Sequence, residues 1–208
     1  ELSVLTVALL GGGLYFGSTK PKIESVAEAV ALIGYSAVAN GDVFGHCNYS
    51  ETLRDEIRPA KKRFSVQQGV ESVLNAEILN RRADIAHTIK ELYRRTKRRS
   101  LIVLIGDFFE IPDLRLLARK HEVVAMVVRV RAEENPSAMG YTALIDPESG
   151  AVLEGDFNER SAKRYSERVH AHDVELFETF RRHGVRATKL YTDGNSVVTL
   201  RRLFEGRV

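Results

Sequence analysis

From Val4 to Leu10 the chain is almost continuously apolar and rich in β-favouring residues, the pattern of a strand covered on both faces of a parallel sheet. After a glycine-rich loop, Ile23, Val26, Val30, Ile33 and Val38 recur near helical spacing, and Asn40-Gly41 closes the segment. The first unit is therefore strand, loop, helix. "DVFGHCNYS" and "TLRDEIRPA" read as two short strands across a tight turn at Ser50-Glu51, the second stopped by Pro59. "FSVQQGVESVLNAEIL" and "ADIAHTIKELYRRT" carry helical periodicity and are separated by Asn80-Arg81-Arg82.

"LIVLIGDF" is the clearest buried strand, ending at Gly106-Asp107, and "PDLRLLARKH" reads as a short helix before the strand "EVVAMVVRV". "YTALIDPESGAVLEG" alternates around Asp146-Pro147-Glu148-Ser149-Gly150, a turn composition that predicts a β-hairpin added to the main body. A long helix closed by Gly184, the strand "VRATKLYT" and a last helix from Ser196 complete the chain. Alternation of strands and helices predicts a three-layer, doubly wound α/β fold of Rossmann-like type, with a mostly parallel sheet. Ligands of such sheets sit beyond the carboxyl ends of the strands. The loops Gly11 to Ser18, Arg81 to Asp84 and Gly106 to Phe109 then matter most.

Length and composition narrow this picture only slightly. A chain of 208 residues, 44% hydrophobic and 28% charged, fits one soluble globular domain over 1–208. The balance of 31 Lys+Arg against 28 Asp+Glu gives a charge of +3, too small an excess to point to nucleic acid by itself. The single cysteine, Cys47, excludes an internal disulfide and a thiolate zinc cluster, and its apolar neighbours predict a buried thiol. No apolar run approaches the roughly 18 residues that cross a bilayer. Because residue 1 falls almost at the start of a core strand, we expect the segment to come from a longer protein, cytoplasmic or held at the cytoplasmic face of a membrane by an anchor elsewhere.

The loop "GGGLYFGSTK" invites a phosphate. Gly12, Gly17 and Thr19 match positions of G-x-x-x-x-G-K-[ST], but Ser18 stands at the lysine position, and Lys20 is turned roughly 200° around a helix from it. The dinucleotide pattern fails as well, because Phe16 replaces its last glycine. A tight turn between strand and helix accounts for the glycines.

Several stretches in order resemble a known family: "YFGS" at Tyr15 to Ser18, "GDVFG" at Gly41 to Gly45, Arg58-Pro59, "RRADIAHTIKEL" at Arg81 to Leu92, "RRSLIVLIGDF", "LLARKHEVVAMVV", "DPESG" and "YTDG". The chain resembles the von Willebrand A-like bacterial proteins grouped as domain of unknown function 58, often encoded beside MoxR-type AAA+ ATPases. Von Willebrand A domains hold a metal ion on a D-x-S-x-S loop after the first strand, with a threonine and an aspartate from two further loops. Laid on that pattern, the five ligand positions fall at Leu9, Gly11, Gly13, Ala83 and Asp107, with Asp84 beside Ala83. The resemblance thus implies a degenerate metal-ion-dependent adhesion site, no bound metal and no cofactor. It also implies a non-enzymatic interaction or scaffold module, an accessory of a MoxR-type ATPase. Its expected interaction face is Gly11, Gly12, Gly13, Tyr15, Ser18, Arg82, Asp84, Asp107 and Phe108, with Phe108 and Tyr15 exposed.

Other candidates are weaker. Asp107 and Asp84 could form a carboxylate pair, but no nucleophile or histidine is placed to help them, and Asp84 has the context of a helix N-cap. His46 and Cys47 share a strand and face opposite sides, which predicts no joint metal site. His170 and His172 diverge on their helix, and His87, His121 and His183 stand alone. "RRTKRR" at Arg94 to Arg99 could meet nucleic acid or an anionic surface, yet cations at a helix C-terminus also offset its dipole. A metal-independent small-molecule binder or enzyme using Gly11 to Ser18 is the alternative reading of the top face.

Overall fold

The computed structural model describes residues 1–17 and 19–205. Its six-stranded sheet has the order β3-β2-β1-β4-β5-β8, formed by β1 (Ser3–Leu9), β2 (Val43–Tyr49), β3 (Leu53–Ala60), β4 (Leu101–Gly106), β5 (Glu122–Arg129) and β8 (Arg186–Tyr191). All neighbours are parallel except β2 and β3. The hairpin of β6 (Gly140–Ile145) and β7 (Val152–Phe157) forms a separate two-stranded sheet. This is the three-layer, doubly wound, mostly parallel arrangement that the alternation predicts, with the added hairpin that the turn composition predicts.

The apolar run of β1 is almost continuous because both of its faces are buried. Val4 and Ala8 face the layer of α1 (Lys22–Ala39), α2 (Arg63–Leu74) and α7 (Ser196–Phe204), while Leu5, Val7 and Leu9 face α3 (Ile85–Arg95), α4 (Arg115–Lys120) and α6 (Glu159–Arg182). His46 and Cys47 diverge across β2 as expected. His46 sits between Thr6 Oγ1 and Asn48 Oδ1, each 2.8 Å away, and Cys47 lies in the opposite core. Burial pushes the Cys47 thiol up to about 12, with Glu56 adding to it.

Three local expectations need correction. β3 runs through Pro59 to Ala60, because it is an edge strand whose register shifts beside Phe44 and His46, so the missing N–H removes no ladder bond. Gly45 gives the proline ring its room: a Cβ there would lie 3.0 Å from Pro59 Cγ. α2 stops at Leu74, with Asn75 as its C-cap, and the following residues turn so that Ile78 enters the core. The periodicity does not register the short α5 (Arg131–Glu134), which carries two side chains of the site described below.

Candidate functional site

The carboxyl ends of β1 and β4, the start of α1 and the loop before α3 meet at one end of the sheet. Leu9 belongs to the core and is 2% exposed, with its Cβ packed where a side chain on Gly106 would go. Gly11 leads into a 3-10 turn over Gly12–Tyr15, and Gly12 N–H donates to Arg81 O at 2.9 Å. Ala83 packs against the α3 side of the core. Asp84 caps α3 by accepting from His87 N–H at 2.8 Å, so its carboxylate faces its own helix. Asp107 points to the glycine loop: a Cβ on Gly13 would lie 2.8 Å from its Oδ2.

The tip of the β6–β7 hairpin lies directly on this loop. A Cβ on Gly12 would stand 1.9 Å from the carbonyl oxygen of Pro147, and that carbonyl accepts from Asn80 N–H at 2.9 Å. Glu148 Oε1 would be 3.0 Å from a Cβ on Gly11 and 3.8 Å from one on Gly13. The glycines therefore serve the close approach of another backbone. Burial raises the pKa of Glu148, and the charge of Asp107 raises it further. Arg82 pairs with Glu110 and approaches Glu148, its Nε 3.8 Å from Oε2.

Beside Asp107 lies a fully buried cation that the sequence reading overlooks. Lys22, the first residue of α1, places Nζ 3.6 Å from Asp107 Oδ2 and also pairs with Glu133 of α5. Glu133 Oε2 in turn accepts from Val130 N–H at 2.9 Å. Arg129, at the end of β5 and equally buried, donates to Asp107 O and, at 2.7 Å, to Asp173 Oδ1 of α6. The ring of Phe109 covers both cations, with centroid distances of 5.2 Å to Lys22 and 4.5 Å to Arg129. Burial would raise the Asp173 carboxyl, but hydrogen bonds from Arg129 and Lys189 outweigh it and hold the group below its ordinary value.

Phe108 was expected to be exposed and is fully buried. Its φ of 51° turns the side chain inward, where it meets Phe180 edge-on at 5.5 Å, and His172 Nε2 donates to its carbonyl at 2.8 Å. Exposed aromatics at this end include Tyr15, Phe16 and Phe109. Ser18 lies outside the described residues. Lys20 pairs with Glu28. Arg94 to Arg99 lie far from this site, at the amino end of β4, where Arg95 pairs with Glu56 at 2.6 Å. Among the described residues, no group of three or more His, Cys, Asp or Glu is arranged to hold a metal ion, and no helix is long and apolar enough to cross a membrane.

Comparison with known proteins agrees with the geometry. The uncharacterized protein Rv1480 of Mycobacterium tuberculosis is 29% identical over 130 residues, covering 61% of this chain and 41% of the mycobacterial protein. Protein MAV169 of Mycobacterium avium is 28% identical over 131 residues, covering 61% of this chain and 77% of the relative. Among solved structures, the conserved hypothetical protein BatB from Bacteroides thetaiotaomicron superposes with a TM-score of 0.56 at 13% identity, over 99% of this chain and 97% of its own. An aerotolerance-related membrane protein from Bacteroides fragilis gives 0.56 at 12% identity, over 99% and 100%. These two likenesses extend to the fold alone. The family model described as "Protein of unknown function DUF58" matches residues 1–175, and the chain belongs to that family.

Proposed function

We propose that this chain is a non-enzymatic protein-interaction or scaffold module that works with a MoxR-type AAA+ ATPase, in the cytoplasm or at the cytoplasmic face of a membrane, and that its top face operates without a metal ion. The observation that carries the reading is the buried Lys22 ammonium facing Asp107, the one carboxylate among the five ligand positions that the resemblance identifies. Mg²⁺ wants about six oxygen ligands. Leu9 is core, Gly11, Gly13 and Ala83 offer no side-chain oxygen, and Asp107 already faces a cation, so these residues do not fit a divalent ion. The absence of enzymatic activity is supported by Asp84 acting as a cap, by the buried and protonated Cys47, and by His46 and His172 serving as structural hydrogen-bonding groups.

Two measurements test the proposal. Titration with Mg²⁺ or Mn²⁺ is expected to leave the melting temperature unchanged; a rise that Asp107→Ala abolishes would overturn the metal-free reading. Binding of the purified MoxR-type ATPase from the same genome is expected, and Gly13→Glu, which sets a carboxylate against Asp107, is expected to weaken it. Absence of any complex would refute the partnership.

A further inference from the structure

With Pro147 and Glu148 lying on the glycine loop, what this end of the molecule offers a partner is the hairpin planted there. An isolated two-stranded ribbon is marginally stable at best in water. This one is pinned at its tip through Asn80 and continues from β7 into α6, so it is held as a fixed surface. Cross-strand register puts Tyr141, Ala143, Ile145, Val152, Glu154 and Asp156 on one face. All six are exposed, and Tyr141, Ile145 and Val152 are 76%, 67% and 59% so. On the other face Thr142, Gly155 and Phe157 are partly covered, while Leu144 and Leu153 are exposed. The first face thus pairs Ile145 with Val152 at the tip, Ala143 with Glu154 in the middle and Tyr141 with Asp156 at the base, setting apolar side chains beside carboxylates.

The charge of the ribbon selects its occupant. Residues 140–157 contain Asp146, Glu148, Glu154 and Asp156, and all 31 lysines and arginines of the chain lie elsewhere. Nucleic acid, an anionic membrane or the same face of a second copy would meet like charge. We infer that the outward face of the β6–β7 hairpin is a docking surface for a protein segment that sets apolar side chains beside lysine or arginine. The inference rests on the reading of the chain as an interaction module, and moves the contact from the glycine loop to the ribbon above it.

Amide chemical shifts of the labelled chain test it. The probes are a short peptide of alternating valine and lysine and a matched peptide of alternating valine and glutamate. The lysine peptide is expected to shift amides within 140–157, with affinity falling as salt is added, and the glutamate peptide to shift none. Glu154→Lys with Asp156→Lys, both exposed, is expected to weaken the lysine peptide about tenfold while the remaining spectrum stays unchanged. Equal binding of both peptides, or no shift at all, would overturn the inference. Shifts at Gly13 and Tyr15 without shifts in the hairpin would overturn it too, while leaving the top-face module reading intact.

Discussion

Replacing Lys22 by methionine keeps most of the side-chain volume and removes one buried charge. Asp107 Oδ2, 3.6 Å from Nζ, and Glu133 would then be left as anions with their facing cation gone. At an effective dielectric of about 20, a pair at that separation interacts by roughly 4–5 kcal/mol. Removing one partner of a buried ion pair typically costs about 3–5 kcal/mol, since the remaining charge is uncompensated. In a domain of this size each kcal/mol corresponds to about 2–4 °C, so Lys22→Met is expected to lower the melting temperature by roughly 6–20 °C. Circular dichroism melts measure it. The second variant, Lys22→Met with Glu133→Gln, removes one orphaned anion and keeps an oxygen to accept from Val130 N–H, so it is expected to recover part of the loss. A single variant that melts within a degree of the parent, or a double variant no better than the single, would refute the role given to the buried cation.

Three further outcomes are expected. Burial lowers the His46 pKa from 6.5 to about 4, against the opposing hydrogen bond to Asn48. Between those values the unfolded chain binds a proton that the native chain does not. Stability should therefore fall by about 3 kcal/mol as pH drops through that window, a slope that His46→Gln should reduce in denaturant melts at several pH values. Cys47, pushed up to about 12 and buried, is expected to resist a colorimetric thiol reagent in native buffer and to react once denaturant is added; rapid native reaction would contradict its placement. Gly12→Ala would bring a Cβ to 1.9 Å of Pro147 O, so the tip must lift and Asn80 N–H must lose its acceptor, at about 1–3 kcal/mol. Faster hydrogen exchange at Asn80 checks this, and unchanged exchange would refute the docking.

The sheet was legible because β1, β4 and β5 are buried on both faces and so carry nearly unbroken apolar runs. Lys22 was also within reach of the periodicity. Positions 22, 26, 29, 30 and 33 lie on one face of α1, and all five are buried, so the pattern itself turned the lysine inward. A lysine side chain ordinarily lies in water, so the residue type pointed outward where the periodicity pointed inward. Phe108 was misjudged because loops beyond strand ends usually face water, whereas a left-handed residue there can reverse a side chain into the core. The turn "DPESG" announced the hairpin but not its resting place. That depends on a contact between Gly12 and Pro147, which no local pattern encodes.

That contact also fixes when the end of the sheet is finished. The glycine loop follows β1, while its cover belongs to a hairpin made after β1 to β5. Contacts so distant in the chain form only after the intervening segments are ordered, because their closure entropy must be met first. The three glycines therefore stay bare until the hairpin has been made, and the seating of Pro147 follows the ordering of β1 to β5.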